Sequence, residues 1–176
     1  MNIRDAFIIS DISEHKNLKP LILDGIKKVG IHSSITKESS LCNTDWELNE
    51  GYPRPYWSIV KPLFEEQSKK ICGLYNFDDC DTVGIVRNFW FQQYAFGDFH
   101  RWHFHSGSTY SSVYYVELPE GSSKTTFRFL DNEFEIDVKE GQILSAPSML
   151  LHCSKPSKNK KIKTVIAFNT EIQVRN

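Results

Sequence analysis

The amino-acid sequence predicts a mainly β protein, a double-stranded β-helix (jelly roll, cupin-like) propped by N-terminal helices, and three observations carry that expectation. From Val83 onward the chain breaks into short β-branched and aromatic runs separated by turn residues, the pattern of an antiparallel sandwich or barrel. Helical spacing of apolar residues is confined to residues 1–80. Finally, Trp102-His103-Phe104-His105 is answered by a lone His152 about fifty residues later, a spacing at which one barrel face can present three metal ligands.

Taken in order, Ala6 to Ile9 reads as a short strand. Leu18, Leu21, Ile22, Ile26 and Val29 then form one apolar helical stripe, with Pro20 placed as a first-turn proline and Gly30 as the stop. Residues from Ile31 to Arg54 are polar and turn-rich, with Ser33-Ser34 and Ser39-Ser40, and suggest a long surface segment with one strand, anchored by Trp46. Tyr56, Ile59, Val60, Leu63 and Phe64 mark a second helix that ends before Gly73.

Eight strands are expected after it: Val83 to Phe91, Arg101 to His105, Ser112 to Leu118, Thr125 to Phe129, Phe134 to Val138, Gln142 to Ala146, Leu150 to Cys153 and Ile162 to Asn169. The turns fall at Pro119-Glu120-Gly121, Asp131-Asn132, Glu140-Gly141 and Pro156 to Lys160. Strands in one half and helices in the other give a jelly roll buttressed from outside. The expected organisation is one domain over 1–176, with 1–80 as a helical support region and 81–176 as the jelly-roll core.

A chain of 176 residues with 40% hydrophobic content can bury a core without disulfides or a structural metal. Lys+Arg 21 against Asp+Glu 22 leaves a formal net charge of -1, so no global field recruits nucleic acid or anionic lipid, and neither is expected as a partner. The first ten residues carry Arg4 and Asp5 and no small-residue cleavage site, and no run is long enough to span a membrane. A soluble, cytoplasmic protein is expected. Cys42, Cys72, Cys80 and Cys153 show neither a CxxC pair nor regular spacing, which favours buried free thiols over zinc or disulfides. Lys155, Lys158, Lys160 and Lys161 read as a solvated hairpin leading to Lys163.

The chemistry concentrates in the histidines. Residues i and i+2 of a strand face the same way, so His103 and His105 can reach one ion, and His152 supplies a third ligand from a distant strand. Five residues separate Gly97 from His103 and Gly141 from Pro147, and four separate Pro147 from His152, so the glycines and the proline fall at the turns into the ligand strands. Three ligands on one side leave the opposite positions open for substrate and oxygen, as in non-haem iron sites. Neutral imidazole suits Fe(II), Ni(II) and Zn(II) alike, so residue type alone leaves the metal open. The glutamate that an ordinary cupin adds after its second histidine is replaced by Thr109 and Tyr110. His100, three residues before His103, is expected on the other side of the strand, as a surface residue or one behind the ligands.

The segment Gln93-Tyr94-Ala95-Phe96-Gly97-Asp98-Phe99-His100-Arg101-Trp102-His103-Phe104-His105 resembles the metal-binding strand of the Fe(II)/2-oxoglutarate-dependent oxygenases, most closely the prolyl-hydroxylase-like members of phage and marine microbial type. The likeness continues through Ser112-Val113-Tyr114-Tyr115-Val116, Glu140-Gly141-Gln142-Ile143-Leu144, Pro147-Ser148 and Ile166-Ala167-Phe168-Asn169. It implies Fe(II) as cofactor, 2-oxoglutarate and oxygen as cosubstrates, and an organic or peptidyl molecule as the substrate to be hydroxylated. His103 matches the first ligand and His152 the distal one. Lys163 stands where a basic residue grips the far carboxylate of 2-oxoglutarate, although the family more often has the two-pronged arginine there. On strand alternation Lys163, Val165, Ala167 and Asn169 share a face. Tyr94 matches a tyrosine that donates to the same carboxylate, and Arg128 is a reserve anchor.

The main departure is His105, which stands where most of these oxygenases have aspartate. Three outcomes are open: His105 ligates and completes a three-histidine site, it stands back and leaves a water or anion, or a carboxylate such as Asp98 or Glu117 replaces it. Two other functions fit the same residues. One is a three-histidine cupin dioxygenase or isomerase that uses no 2-oxoglutarate, and the other is a non-catalytic jelly roll that binds a sugar or a protein.

Overall fold

The computed structural model describes residues 3–30, 40–49, 51–75 and 81–175. The order of elements is β1 (Ile8–Asp11), α1 (His15–Val29), β2 (Ser40–Leu41), β3 (Asn43–Thr44), α2 (Trp57–Cys72), β4 (Asp81–Tyr94), β5 (Phe99–His103), β6 (Tyr110–Glu117), β7 (Thr125–Phe129), β8 (Asn132–Glu135), β9 (Gln142–Pro147), β10 (Leu151–Ser154) and β11 (Lys163–Arg175). They make two antiparallel sheets. One has the order β1-β9-β6-β11-β4-β3 and the other β2-β5-β10-β7-β8, the two-sheet arrangement of a double-stranded β-helix.

The large sheet is apolar on both faces, which explains why its strands read as near-continuous hydrophobic runs rather than a clean alternation. Ile166 and Phe168 of β11, Tyr114 and Val116 of β6 and Ile143 of β9 face outward, onto Ile22, Ile26 and Val29 of α1 and Val60 and Phe64 of α2. Their neighbours Val165, Tyr115, Leu144 and Ala146 face inward, where Phe127 of β7 meets them from the small sheet. Phe64 stacks on Phe168 with ring centroids 3.9 Å apart. Each layer buries about 1.5–3 kcal/mol per large side chain, so the helices hold the large sheet while the second layer closes the barrel.

The local signals are reproduced with shifts at element ends. β4 and β11 are longer than expected because they pair with one another over their whole length, from Lys163↔Tyr94 to Arg175↔Asp81. The strand expected over Phe134 to Val138 runs Asn132–Glu135 instead: Leu130 takes a φ of 53°, the chain turns there, and Phe129 pairs with Asn132. Helix α1 starts at His15, so Pro20 lies inside it rather than in its first turn, on the exposed face where water can take the carbonyl that loses its N–H partner. Leu21, counted in the apolar stripe, faces solvent.

Two strands, β2 and β3, arise where one was expected between Ile31 and Arg54, and each extends a sheet edge. The serines at 33, 34 and 39 lie outside the described residues, as does Cys80. Cys42, Cys72 and Cys153 are free and buried. The buried anchor of this region is Asp45 rather than Trp46: its carboxylate accepts from Arg54 Nε at 2.8 Å, from the Tyr56 hydroxyl at 2.7 Å and from the Phe91 N–H at 2.8 Å. Among the described residues no helix is long and apolar enough to cross a membrane.

Candidate metal centre and its cavity

Strands β5 and β10 run antiparallel with His103 opposite His152, so both imidazoles project into the space between the sheets. Gly97 and Gly141 turn the chain ahead of β5 and β9 with φ of 85° and 87°, values that a side chain makes costly. His105 lies just beyond the end of β5, not within it as the sequence suggested. Its backbone N–H donates to the Ser148 carbonyl at 2.9 Å, which ties it to the turn before β10. The candidate ligand nitrogens of His103, His105 and His152 all lie within 4.8 Å of one another.

Hydrogen bonds define which nitrogens are free. His103 Nδ1 lies 2.8 Å from the Arg101 carbonyl and His152 Nδ1 lies 2.9 Å from the Leu150 carbonyl. A carbonyl oxygen can only accept, so each Nδ1 carries the proton and each Nε2 keeps its lone pair. Burial lowers the pKa of His103, and burial with the neighbouring imidazoles brings His105 down to about 4 and His152 to about 3. All three are therefore neutral near pH 7, the form that binds a metal ion. The donor set fits one divalent transition metal.

His100 departs from the expected orientation. Between the pairs His152↔His103 and Ser154↔His100, three steps on β5 match two on β10, a β-bulge that brings His100 to the same face as His103. Its ring lies in the cavity, with Gln92 Nε2 3.0 Å from its Nδ1, and burial brings its pKa down to about 3. Regular alternation carried no sign of this bulge.

A partly open cavity of about 40 Å³ runs from the histidines to Lys163, between Gln92, Tyr94, Thr125 and Ser154. Lys163 is 3% exposed. Its ammonium donates to Ser154 Oγ at 2.7 Å and to the Ser123 carbonyl at 3.0 Å, neither of them charged, and sits 4.1 Å from the centroid of the Tyr94 ring. Burial pulls its pKa down to about 8. Burial raises the pKa of Tyr94 well above its usual value, so its hydroxyl keeps its proton. The inward face of Lys163, Val165 and Ala167 matches the alternation read from the sequence.

No carboxylate is among the described residues that line the cavity. Asp98 caps its own turn by accepting from the Ala95 N–H at 2.8 Å, and Glu117 bonds the Thr164 hydroxyl on the other face of β11. Neither stands in for the missing aspartate. Arg128 also lies elsewhere: because Phe127 points into the barrel, Arg128 points out, where it pairs with Glu133 and lies 4.3 Å from the Trp102 ring. It cannot serve as a reserve anchor in this cavity.

No family model matches the chain, and no curated protein matches it. Solved structures do. A viral collagen prolyl hydroxylase from Paramecium Bursaria Chlorella virus-1, solved as a 2OG complex, is 15% identical, with a TM-score of 0.63 over 94% of this chain and 95% of that one. A prolyl hydroxylase from Trichoplax adhaerens, in complex with a hypoxia inducible factor peptide fragment, is 12% identical, with a TM-score of 0.66 over 94% and 83%. An oxidoreductase of the 2OG-Fe(II) oxygenase family from Burkholderia pseudomallei is 8% identical, with a TM-score of 0.67 over 97% and 90%. The chain therefore has the double-stranded β-helix fold of the 2-oxoglutarate oxygenases, over nearly its whole length.

Proposed function

We propose that this protein is a non-haem Fe(II)- and 2-oxoglutarate-dependent oxygenase acting as one domain, with His103, His105 and His152 as ligands and Lys163 as the anchor for the far carboxylate of 2-oxoglutarate. One observation carries the reading: two Nε2 lone pairs, freed by backbone carbonyls, share a cavity with a buried ammonium that has no charged hydrogen-bond partner. A small dianion that chelates the metal at one end satisfies the ammonium at the other. The fold likeness to a 2OG complex and to a member of the 2OG-Fe(II) family supports the same assignment.

Bound iron would supply the activation of oxygen that ends in hydroxylation of a C–H bond. The chain's own residues do the rest. Lys163 and Tyr94 hold and orient the carboxylate, the carbonyls of Arg101 and Leu150 keep His103 and His152 in the ligating tautomer, and the walls of the two sheets exclude water. A peptidyl substrate is the reading favoured by the peptide seated on the Trichoplax relative.

The test is anaerobic addition of 2-oxoglutarate to the Fe(II) protein. A metal-to-ligand charge-transfer band should appear, and its absence would leave the second reading, a three-histidine dioxygenase or isomerase without 2-oxoglutarate. The absence of a carboxylate from the described residues that line the cavity is what favours that reading.

A further inference from the structure

We infer that Asn169 is a positioning residue whose side-chain oxygen selects the tautomer in which His105 can ligate the metal. The inference rests on the reading above, in which His105 completes the ligand set. A carboxylate at this position would need no such selection, because each of its oxygens is an acceptor in any orientation. An imidazole does need it.

The tautomers of His103 and His152 are decided by carbonyl oxygens of their own strands. Among the described residues His105 has no such carbonyl. Its Nδ1 faces the side-chain amide of Asn169, with Nδ2 at 3.3 Å. With the amide in that orientation the N–H donates to Nδ1, the ring proton sits on Nε2, and His105 has no nitrogen left with a free lone pair. The opposite end of the same amide, Oδ1, is buried with no hydrogen-bond partner among the described residues, on a side chain only 5% exposed. Such an orphaned acceptor is costly and points to a different working state.

A half-turn of the amide gives the orphaned oxygen a donor and the ring an acceptor. Its two ends are almost identical in shape, so the turn needs no repacking. It brings Oδ1 to the ring, where it accepts from Nδ1–H, and frees Nε2 of His105 to match His103 and His152. The ring itself is held in place: it stacks with Trp90 at 5.6 Å and with His152 at 5.1 Å. Asn169 reaches it because β11 carries it on the inward face, with a bulge in the pairing to β4 immediately after it.

The experiment titrates Co(II) alone into the metal-free protein and follows the visible ligand-field spectrum. Asn169→Leu keeps the size but cannot accept, and should weaken Co(II) binding by about 10–100-fold, whereas Asn169→Asp should stay within about threefold of the unsubstituted protein. In the His105→Ala background Asn169→Leu should cost nothing further, since it acts through His105. A purely structural role would instead make Leu and Asp alike, or let the loss persist without His105, and either result overturns the inference. So would a ¹⁵N spectrum of the unsubstituted Zn(II) protein that shows His105 protonated at Nε2; protonation at Nδ1 with Nε2 on the metal is expected. Should the iron protein lack a 2-oxoglutarate charge-transfer band while the Co(II) cycle holds, the oxygenase reading fails and the role of Asn169 stands.

Discussion

His100 stacks on His103 with ring centroids 4.0 Å apart and ring planes 17° apart, although three residues of regular strand would send the two to opposite faces. The bulge in β5 places a fourth imidazole in a cavity built for three. His100, His103, His105 and His152 then share one desolvated space, which lowers the pKa of all four and keeps them neutral near pH 7.

That neutrality sets the acid stability of the metal-free protein. Unfolded, these histidines take up protons below about 6.5, whereas in the fold His100 and His152 resist until about 3 and His105 until about 4. Over that window the unfolded chain binds more protons, so stability falls as pH falls. Urea unfolding between about pH 7 and 5 should show this slope, and His100→Gln or His152→Gln should flatten it. A pH-independent stability over that range would contradict the burial assigned to the cluster.

Metal binding should depend on the two carbonyl-oriented histidines above all. His103→Ala and His152→Ala each remove a proposed Nε2 ligand and should lower Fe(II) affinity by more than the roughly 10–100-fold typical of outer-shell changes. Metal content after equilibration with Fe(II) under anaerobic conditions reads this directly. Arg128→Ala, which alters only the outer face, should leave it unchanged.

For Lys163 the expected loss is in 2-oxoglutarate affinity rather than in metal content. Lys163→Met removes a buried charge at similar length and should cost about 2–5 kcal/mol of binding, read from the charge-transfer band as 2-oxoglutarate is titrated. The carboxylate needs the ammonium form, so affinity should hold below about 8 and decline as pH rises past it, the value to which burial has lowered Lys163. The Met variant should lose that decline. A decline that survives in Lys163→Met would assign it to another group.

Asp45 should prove a stability residue, since it is not among the residues that line the cavity. Its carboxylate is fully buried and satisfies Arg54, Tyr56 and the Phe91 N–H together, so Asp45→Ala strands three donors. Removing one partner of a buried pair costs about 3–5 kcal/mol. With about 2–4 °C lost per kcal/mol in a chain of this size, thermal melting should fall by roughly 6–20 °C.

How much of this was legible beforehand follows from where each feature gets its energy. The jelly roll could be read because its strands carry their own apolar pattern and its turns their own glycines; His103 and His152 could be named from residue type and spacing, and Lys163 from the resemblance to the 2-oxoglutarate oxygenases. His100 could not be placed: a bulge arises from pairing between β5 and β10, and neither strand alone announces it. Arg128 was misplaced for a related reason, since alternation says that it opposes Phe127 but not which of the two faces the barrel. Asp45 was overlooked because its three donors lie outside its own strand and turn, on β4, at the start of α2 and in the loop before it.

By itself, then, the sequence determined the sheet-rich fold, the approximate strands and the identity of the groups able to hold a metal and an anion, because period, turn chemistry and residue type act over a few neighbouring residues. Only the tertiary structure decided which of those groups meet: the bulge that turns His100 inward, the carbonyls that set the tautomers of His103 and His152, and the exclusion of every carboxylate from the described lining. Such relationships are set by register and burial between strands far apart in the chain, where a shift of one residue reverses every side chain.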